Sequence, residues 1–217
     1  MMFEKIFPKV HPEGYKFLII SSIITLILML NSAFFGIVFI LITIWVYYFF
    51  RDPERVIIKD VNYLVSPADG RISSISDVSG PNELGLNNEK FTRVSIFMNV
   101  FDCHVNRSPV DGEIEEIFYK PGKFLNASLD KASEENERNF FKIKETHSNE
   151  NLVIVQIAGL IARRIVTQVE KKQKISQGER VGMIRFGSRV DIYFKKRKTL
   201  VKLGQNVIAG ESLIART

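Results

Sequence analysis

Polar and apolar positions divide this chain into two parts. From Phe17 to Phe50 there is no Asp, Glu, Lys, Arg or His, and only Ser21, Ser22, Thr25, Asn31, Ser32, Gly36 and Thr43 interrupt an apolar run of 34 residues. One straight helix of that length would measure about 51 Å at 1.5 Å per residue. The hydrocarbon core of a bilayer is about 30 Å thick, and tilt does not absorb the difference. A break is expected at Asn31-Ser32, giving Phe17–Leu30 and Ala33–Phe50 as a helical hairpin. The run is too long for a signal peptide and ends in Trp45, Tyr47, Tyr48, Phe49 and Phe50 rather than in small residues. Lys5, Lys9 and Lys16 precede it, and Arg51 and Arg55 follow it. Positive charge on both flanks predicts that both ends are cytoplasmic. The expectation is a membrane-anchoring hairpin over residues 1–55, with a domain over residues 56–217 on the cytoplasmic face of the inner membrane.

Beyond residue 55 the pattern changes to short β-prone runs punctuated by Gly, Pro, Asn and Asp. Strands are predicted at Arg93–Phe97, Ile114–Tyr119, Leu152–Ile157, Arg163–Val169, Val181–Phe186 and Val190–Phe194. Pro81–Lys90 and Asn126–Asn139 read as polar loops, and no long amphipathic helix stands out. Two internal echoes sharpen this reading. Asp69-Gly70-Arg71-Ile72 through Ile75 matches Asp111-Gly112-Glu113-Ile114 through Ile117 as D-G-x-I-x-x-I. Gln173 through Glu179 matches Gln205 through Glu211 as Q-x-(I/V)-x-x-G-E. The combination resembles a biotinyl/lipoyl-type barrel-sandwich built from hairpin-like units. The carrier-lysine motif of swinging-arm proteins is missing. The predicted fold class is mostly β with an N-terminal helical hairpin.

Composition adds little to this division. The whole chain is 46% hydrophobic and 25% charged, which averages over two unlike parts. All 54 Lys, Arg, Asp and Glu residues lie outside the apolar run, with a net charge of +6. Beside a membrane segment, this excess points to anionic lipid rather than nucleic acid, for which no motif is present. The single cysteine, Cys103, excludes an internal disulfide and a multi-cysteine metal site.

Three segments hold candidate chemistry. Gly187-Ser188 stands between two predicted strands, where the bland reading is a turn. It is not a G-x-S-x-G elbow, since position 190 is Val and no helix pattern follows. His104 lies in Asn99-Val100-Phe101-Asp102-Cys103-His104-Val105-Asn106-Arg107, where it reads equally as a half-buried strand histidine. Cys103 and His104 are adjacent, so on a strand they face opposite ways and form no nucleophile pair. Ser66-Pro67-Ala68-Asp69-Gly70 is by itself a turn of the kind repeated at Asp111-Gly112. Lys195-Lys196-Arg197-Lys198 reads first as a solvated turn and second as a membrane contact.

Taken in order, five motifs resemble the phosphatidylserine decarboxylase family in its short bacterial and archaeal-like form. They are Ser-Pro-Ala-Asp-Gly at 66–70, Phe-Asp-x-His-Val-Asn-Arg-x-Pro at 101–109, Asn136-Glu137-Arg138-Asn139, Gln156-Ile157-Ala158-Gly159, and Ile184 through Arg189. The likeness runs from Arg51-Asp52-Pro53 to Tyr193. It implies a proenzyme that cuts itself between Gly187 and Ser188. The Ser188 hydroxyl would attack the Gly187 carbonyl, and elimination and hydrolysis would leave a pyruvoyl group derived from Ser188. A large chain 1–187 and a small chain 188–217 would result. Decarboxylation of an amino acid leaves a carbanion that needs an electron sink, a task often given to pyridoxal phosphate. A pyruvoyl carbonyl does the same by forming a Schiff base with the substrate amine.

The resemblance also implies that an Asp and a His accompany the Ser, and Asp69 and His104 occupy those positions. His104 could further protonate the carbanion once CO2 has left. Longer members carry H-x-x-H in this motif, whereas here the second position is Arg107. Either His104 serves both steps or another group is the self-cleavage base. Arg107 suits binding of the substrate carboxylate or phosphate, and Asn136 and Asn139 are placed near the substrate by the same likeness. The implied partners are phosphatidylserine in an anionic membrane, with a homo-oligomer left open. A rival reading is a non-enzymatic membrane-anchored adaptor with a biotinyl-like β domain, although the coiled-coil heptads usual in such proteins are absent. A pyruvoyl decarboxylase of soluble substrates is a third reading, opposed by Phe17–Phe50.

Overall fold

The apolar run forms two helices, α1 (Tyr15–Asn31) and α2 (Ala33–Phe49), in the computed structural model, which describes residues 7–126, 134–160, 164–186 and 188–217. Ser32 makes the break with extended backbone (φ −159°, ψ 121°). Its N–H donates to Leu28 O at 2.8 Å and its carbonyl accepts from Gly36 N at 3.0 Å, so one residue closes α1 and opens α2. The Asn31 side chain helps by donating to Ile27 O at 2.7 Å, the local competition that keeps Asn and Ser out of helix interiors. Gly36 lets the helices approach, since a Cβ there would stand 2.8 Å from Met29 Cα. Thr25 and Thr43 join their hydroxyls across the pair at 2.9 Å. At the base, His11 N donates to Phe50 O at 2.8 Å, and the Phe17 and Phe50 rings stack with centroids 5.1 Å apart. The outward faces, including Leu26, Leu30, Phe34 and Leu41, are exposed hydrocarbon. Pro12–Asn31 is a 20-residue helical segment long and apolar enough to cross a membrane, and Ala33–Phe49 is a shorter apolar helix.

The chain divides into two units, Met1–Glu54 and Arg55–Thr217. The second contains β1 (Tyr63–Val65), β2 (Gly70–Ser79), β3 (Lys90–Met98), β4 (Val105–Arg107), β5 (Gly112–Lys120), β6 (Arg138–Glu145), β7 (Asn151–Ala158), β8 (Arg164–Thr167), β9 (Lys174–Ile175), β10 (Arg180–Arg185), β11 (Ser188–Phe194), β12 (Lys198–Thr199), β13 (Asn206–Val207) and β14 (Leu213–Arg216). The mostly β expectation is borne out, and each predicted run falls on a strand. Eight strands form a curled antiparallel sheet in the order β13-β2-β3-β11-β7-β6-β5-β9. Two three-stranded sheets, β4-β10-β8 and β1-β14-β12, complete the unit. The main core fills the interior with Ile96, Val190, Ile192, Ile154, Phe141 and their neighbours. A second cluster covers the outer face of the large sheet, with Leu84, Leu86 and Phe91 packed on Phe140, Val153, Val155 and Ile157. Leu84 and Leu86 come from Pro81–Lys90, which is therefore a covering segment and not merely a polar loop.

The two sequence echoes are two copies of one structural unit. The first strand of each copy pairs with the second half of the same unit: Arg71 with Asn206, and Glu113 with Lys174. The turn before each strand repeats bond for bond. Ser66 Oγ donates to Ala68 O and Ser108 Oγ to Val110 O, both at 2.7 Å. Asp69 Oδ1 accepts from Ala209 N and Asp111 Oδ1 from Gln177 N, both at 2.8 Å. Gly210 N and Gly178 N donate to Ser66 O and Ser108 O, again both at 2.8 Å. These two glycines stand at φ 77° and 80°, a region that side chains disfavour.

Three members of the basic run at 195–198 are paired with glutamates. Lys195 meets Glu89, Lys196 meets Glu150 at 2.7 Å, and Arg197 meets Glu145 at 2.7 Å with both side chains buried. The run is a charge-paired turn.

Candidate active site

Ser188 opens β11, the strand at the middle of the large sheet. It lies opposite Met98 of β3 on one side and Ala158 of β7 on the other. Alternation along the strand sends Ser188, Val190 and Ile192 to the interior and Arg189, Asp191 and Tyr193 to the outer face. Ser188 is fully buried, with Oγ 3.5 Å from Met98 Sδ. Phe186, two residues earlier, has φ 66°. For a bulky side chain that is a strained conformation, costing on the order of 1–3 kcal/mol. Gly187, expected as the other half of the cleavage site, lies outside the described residues.

His104 is fully buried at the same end of the interior. Its carbonyl accepts from Ile184 N at 3.4 Å, four residues before Ser188, and the 99–103 turn joins it to Met98. Its Nδ1 lies 2.9 Å from Asp102 O. A carbonyl only accepts, so Nδ1 carries the hydrogen, and in the neutral ring Nε2 keeps the lone pair. This tautomer is the one a proton acceptor at Nε2 requires.

Asp69 stands one residue before Gly70, which lies against Phe97 and Ile96. A Cβ on Gly70 would meet Phe97 O at 2.3 Å, so this close approach of β2 to β3 needs glycine. One carboxylate oxygen of Asp69 holds the turn through Ala209 N, and the other takes Arg55 Nη2 at 2.6 Å. Both side chains are largely buried. Arg55 was expected only as a flanking positive charge. Nothing in the linear pattern says that it folds back on Asp69.

The structure separates Arg107 from His104. Both are tied to β10, but Arg107 pairs at Arg180 while Val105 pairs at Met183. Three residues along an extended segment span about 10 Å. Arg107 Nη1 donates to Gly178 O at 2.8 Å, and the side chain lines a cleft of about 470 Å³ with Lys59, Arg180, Gln168 and Ser176.

Asn136 is engaged by main chain. Its Oδ1 accepts from Leu125 N at 2.8 Å, and its Nδ2 donates to Leu125 O at 2.9 Å and Ala158 O at 2.7 Å. It thereby holds the residue that lies opposite Ser188. Asn139 belongs to a buried amide chain. Its Nδ2 reaches Gln156 Oε1 and Thr167 Oγ1, each at 3.1 Å. Gln156 Nε2 donates to Asn106 Oδ1 at 2.8 Å, which turns the Asn106 amino group toward Met98 Sδ, 3.9 Å away. Met98 thus touches both Ser188 and the end of this chain. Asn106 and Gln156 lay within the quoted motifs but were given no role. Their joint burial is what marks them.

Behind Ser188, on the outer face, Arg189 and Asp191 form a bidentate ion pair at 2.6 and 2.8 Å. Both are 2% exposed. Burial and, next, the Asp191 charge push the Tyr193 phenol up to about 12.

Comparison with known proteins adds an independent line. The family model described as phosphatidylserine decarboxylase matches residues 42–215. A phosphatidylserine decarboxylase proenzyme of Pelagibacter ubique is 63% identical over 215 residues, covering 99% of this chain and 100% of the relative. A protein of the same description from Ruegeria pomeroyi is 50% identical over 206 residues, 94% of each chain. The matches take in Gly187-Ser188, both repeated turns and His104, and the chain is an enzyme that belongs to the phosphatidylserine decarboxylase family.

Proposed function

We propose that the chain cuts its own Gly187–Ser188 bond and then converts phosphatidylserine to phosphatidylethanolamine and CO2 with a pyruvoyl group made from Ser188, while the hairpin holds it at the cytoplasmic face of the inner membrane. The observation that carries this reading is the placement of Ser188. It is buried at the head of a central strand, is gripped by two neighbours, and follows the strained Phe186. The proenzyme names of both relatives support a processed form.

In maturation the Ser188 hydroxyl adds to the Gly187 carbonyl carbon and the Gly187–Ser188 C–N bond breaks, leaving an ester and a free amine on residue 188. Removal of the residue 188 α-proton then expels the Gly187 carboxylate, and water releases the nitrogen as ammonia. His104 Nε2 takes the hydroxyl proton, since with the hydrogen on Nδ1 it is the nitrogen that carries the lone pair. Asp69, paired with Arg55, holds the Ser66–Gly70 turn against the strand on which Ser188 rests.

The residues present fit a pyruvoyl group. The position is buried and bordered by the Met98 thioether, and His104 is at hand as a proton carrier. Such a group supplies a carbonyl that takes up the substrate amine and accepts the electrons left when CO2 departs. In turnover His104 returns a proton to the carbon from which CO2 leaves. Arg107, with Lys59 and Arg180 in the same cleft, is the candidate for an anionic part of the head group, and Asn139 helps to shape the interior beside Ser188.

Intact mass of the purified protein tests the reading. A 30-residue fragment starting at residue 188 with a blocked N-terminus is expected, and Ser188→Ala stays one chain. A wild-type chain that remains whole with a free Ser188 sinks it. A His104→Ala variant that cuts normally yet releases no CO2 would assign His104 to turnover alone.

A further inference from the structure

We infer that the end of the large sheet carrying Ser188 is a docking face for the lipid interface, seated on the bilayer by the aromatic side chains around it. This deepens the proposed function and rests on its membrane reading. Strand register defines the face. The ends of β3 and β7 and the start of β11 meet at Met98, Ala158 and Ser188. The end of β5 and the start of β6 adjoin them through the pairing of Lys120 with Arg138 and of Arg138 with Ile157.

Among the described residues of the β unit, the exposed Phe and Tyr side chains are Phe101, Phe118, Tyr119 and Phe124, and all four lie at this end. Phe101, 62% exposed, is on the turn that follows Met98. Leu160, 67% exposed, is on the turn that follows Ala158. The two therefore flank Ser188 from either side. Phe124 precedes Leu125, which is bound to Asn136 and through it to Ala158. Scattered exposed apolar residues mean little, but aromatics gathered at one end of a β unit are characteristic of the water–lipid boundary.

Three further observations select a bilayer as the occupant. Several of the described charges at this end are paired. Lys120 and Arg138 meet Glu83 at 3.0 and 2.9 Å, and Lys123 meets Glu135 at 2.7 Å, which lowers the cost of bringing them to an interface. The chain also enters the β unit here, because Arg55, its first residue, is fixed to Asp69 beside Gly70. The opposite end differs in character. There the β6–β7 turn and the 195–197 run expose the Lys196–Glu150 pair, bury the Glu145–Arg197 pair, and carry no exposed Phe or Tyr among the described residues.

The test uses the full chain in vesicles. Trp45→Phe removes the only tryptophan, and Phe101→Trp, Leu160→Trp or His147→Trp then adds one probe. His147, on the β6–β7 turn, is the control from the opposite end. In phosphatidylcholine–phosphatidylglycerol vesicles with brominated acyl chains, the tryptophans at 101 and 160 are expected to be quenched at least about twofold more than the one at 147. Equal quenching at the two ends overturns the proposal. So does a blue-shifted but unquenched probe at 101, which contact with a second copy of the chain would give. Two probe sites guard against one variant misfolding. Intact mass of the same samples reports self-cleavage separately, so failure of the pyruvoyl reading is distinguishable from failure of the docking face.

Discussion

Gln156 donates its side-chain amide to Asn106 at 2.8 Å in the closed interior, and this bond helps to tie the central sheet to the small sheet beside Ser188. Its direction matters. Because the Asn106 oxygen is taken, the Asn106 amino group is left for the Met98 sulfur on which Ser188 rests. Cutting the chain at Gln156 strands buried amide groups, at a cost of about 1–3 kcal/mol. Gln156→Leu is therefore expected to lower stability by that amount. It should also slow appearance of the residue 188–217 fragment, because Asn106 is free to turn. Pulse-chase gel analysis of cleavage, beside a thermal melt, checks both. A variant that melts lower yet cuts at the wild-type rate would assign the chain to folding alone.

The duplicated turns offer an internal control. Asp69 and Asp111 make the same main-chain bond, to Ala209 N and Gln177 N, but only Asp69 also holds Arg55. Asp111→Ala should cost about 1–2 kcal/mol and leave self-cleavage intact. Asp69→Ala should lose a comparable bond, leave Arg55 without its carboxylate, and block cleavage. Arg55→Met then separates charge from turn, since it keeps the Ala209 bond. Stability by denaturant titration and fragment yield by mass together read the comparison. Equal loss of cleavage in the Asp69 and Asp111 variants would reduce Asp69 to a turn residue.

What was legible in the sequence had a local cause. Asn31-Ser32 announces the hairpin break because side chains of these types favour leaving a helix, and Asn31 does so by bonding back to Ile27 O. The D-G-x-I echoes announce paired strands because the turn chemistry is contained in five residues. Ser188 and His104 were legible only through ordered motifs, since a serine in a Gly-Ser turn and one buried histidine are ordinary. What escaped depends on distance in the chain. Gln156 and Asn106 are 50 residues apart. Arg189 and Asp191 alternate with Val190 and Ile192 and so read as a solvent-facing set. They are buried because Leu84, Leu86 and Phe91 form a second layer over that face, two of them from a segment that looked like a polar loop.

That second layer makes the Arg189–Asp191 pair testable. Under the proposed cleavage the pair would sit on the first residues of a new chain start, where a cut strand would otherwise fray. Removing one partner leaves a buried charge, so Arg189→Met alone should cost about 3–5 kcal/mol. The double variant Arg189→Met with Asp191→Leu should recover most of this, since apolar replacement of a buried pair is often near neutral. Denaturant midpoints of the four-member cycle measure the coupling. If the double variant recovers stability but cleaves yet turns over slowly, the pair serves to hold the strand that carries residue 188.

Tyr193, two residues further along the same face, is expected to contribute to alkaline loss of stability. Its phenol is pushed up to about 12 from an ordinary 10.0, chiefly by burial and then by the Asp191 charge. With a folded value above the unfolded one, its contribution is complete below pH 10 and is lost as pH rises toward 12. There the unfolded chain releases the phenolic proton and the folded chain holds it. The raised value corresponds to roughly 2–3 kcal/mol. Stability should therefore fall across pH 10–12 in the wild type, and Tyr193→Phe should flatten that part of the curve. Ultraviolet titration of phenolate beside denaturant titration at each pH checks the sign. A wild-type curve that Tyr193→Phe leaves unchanged would place the alkaline loss elsewhere.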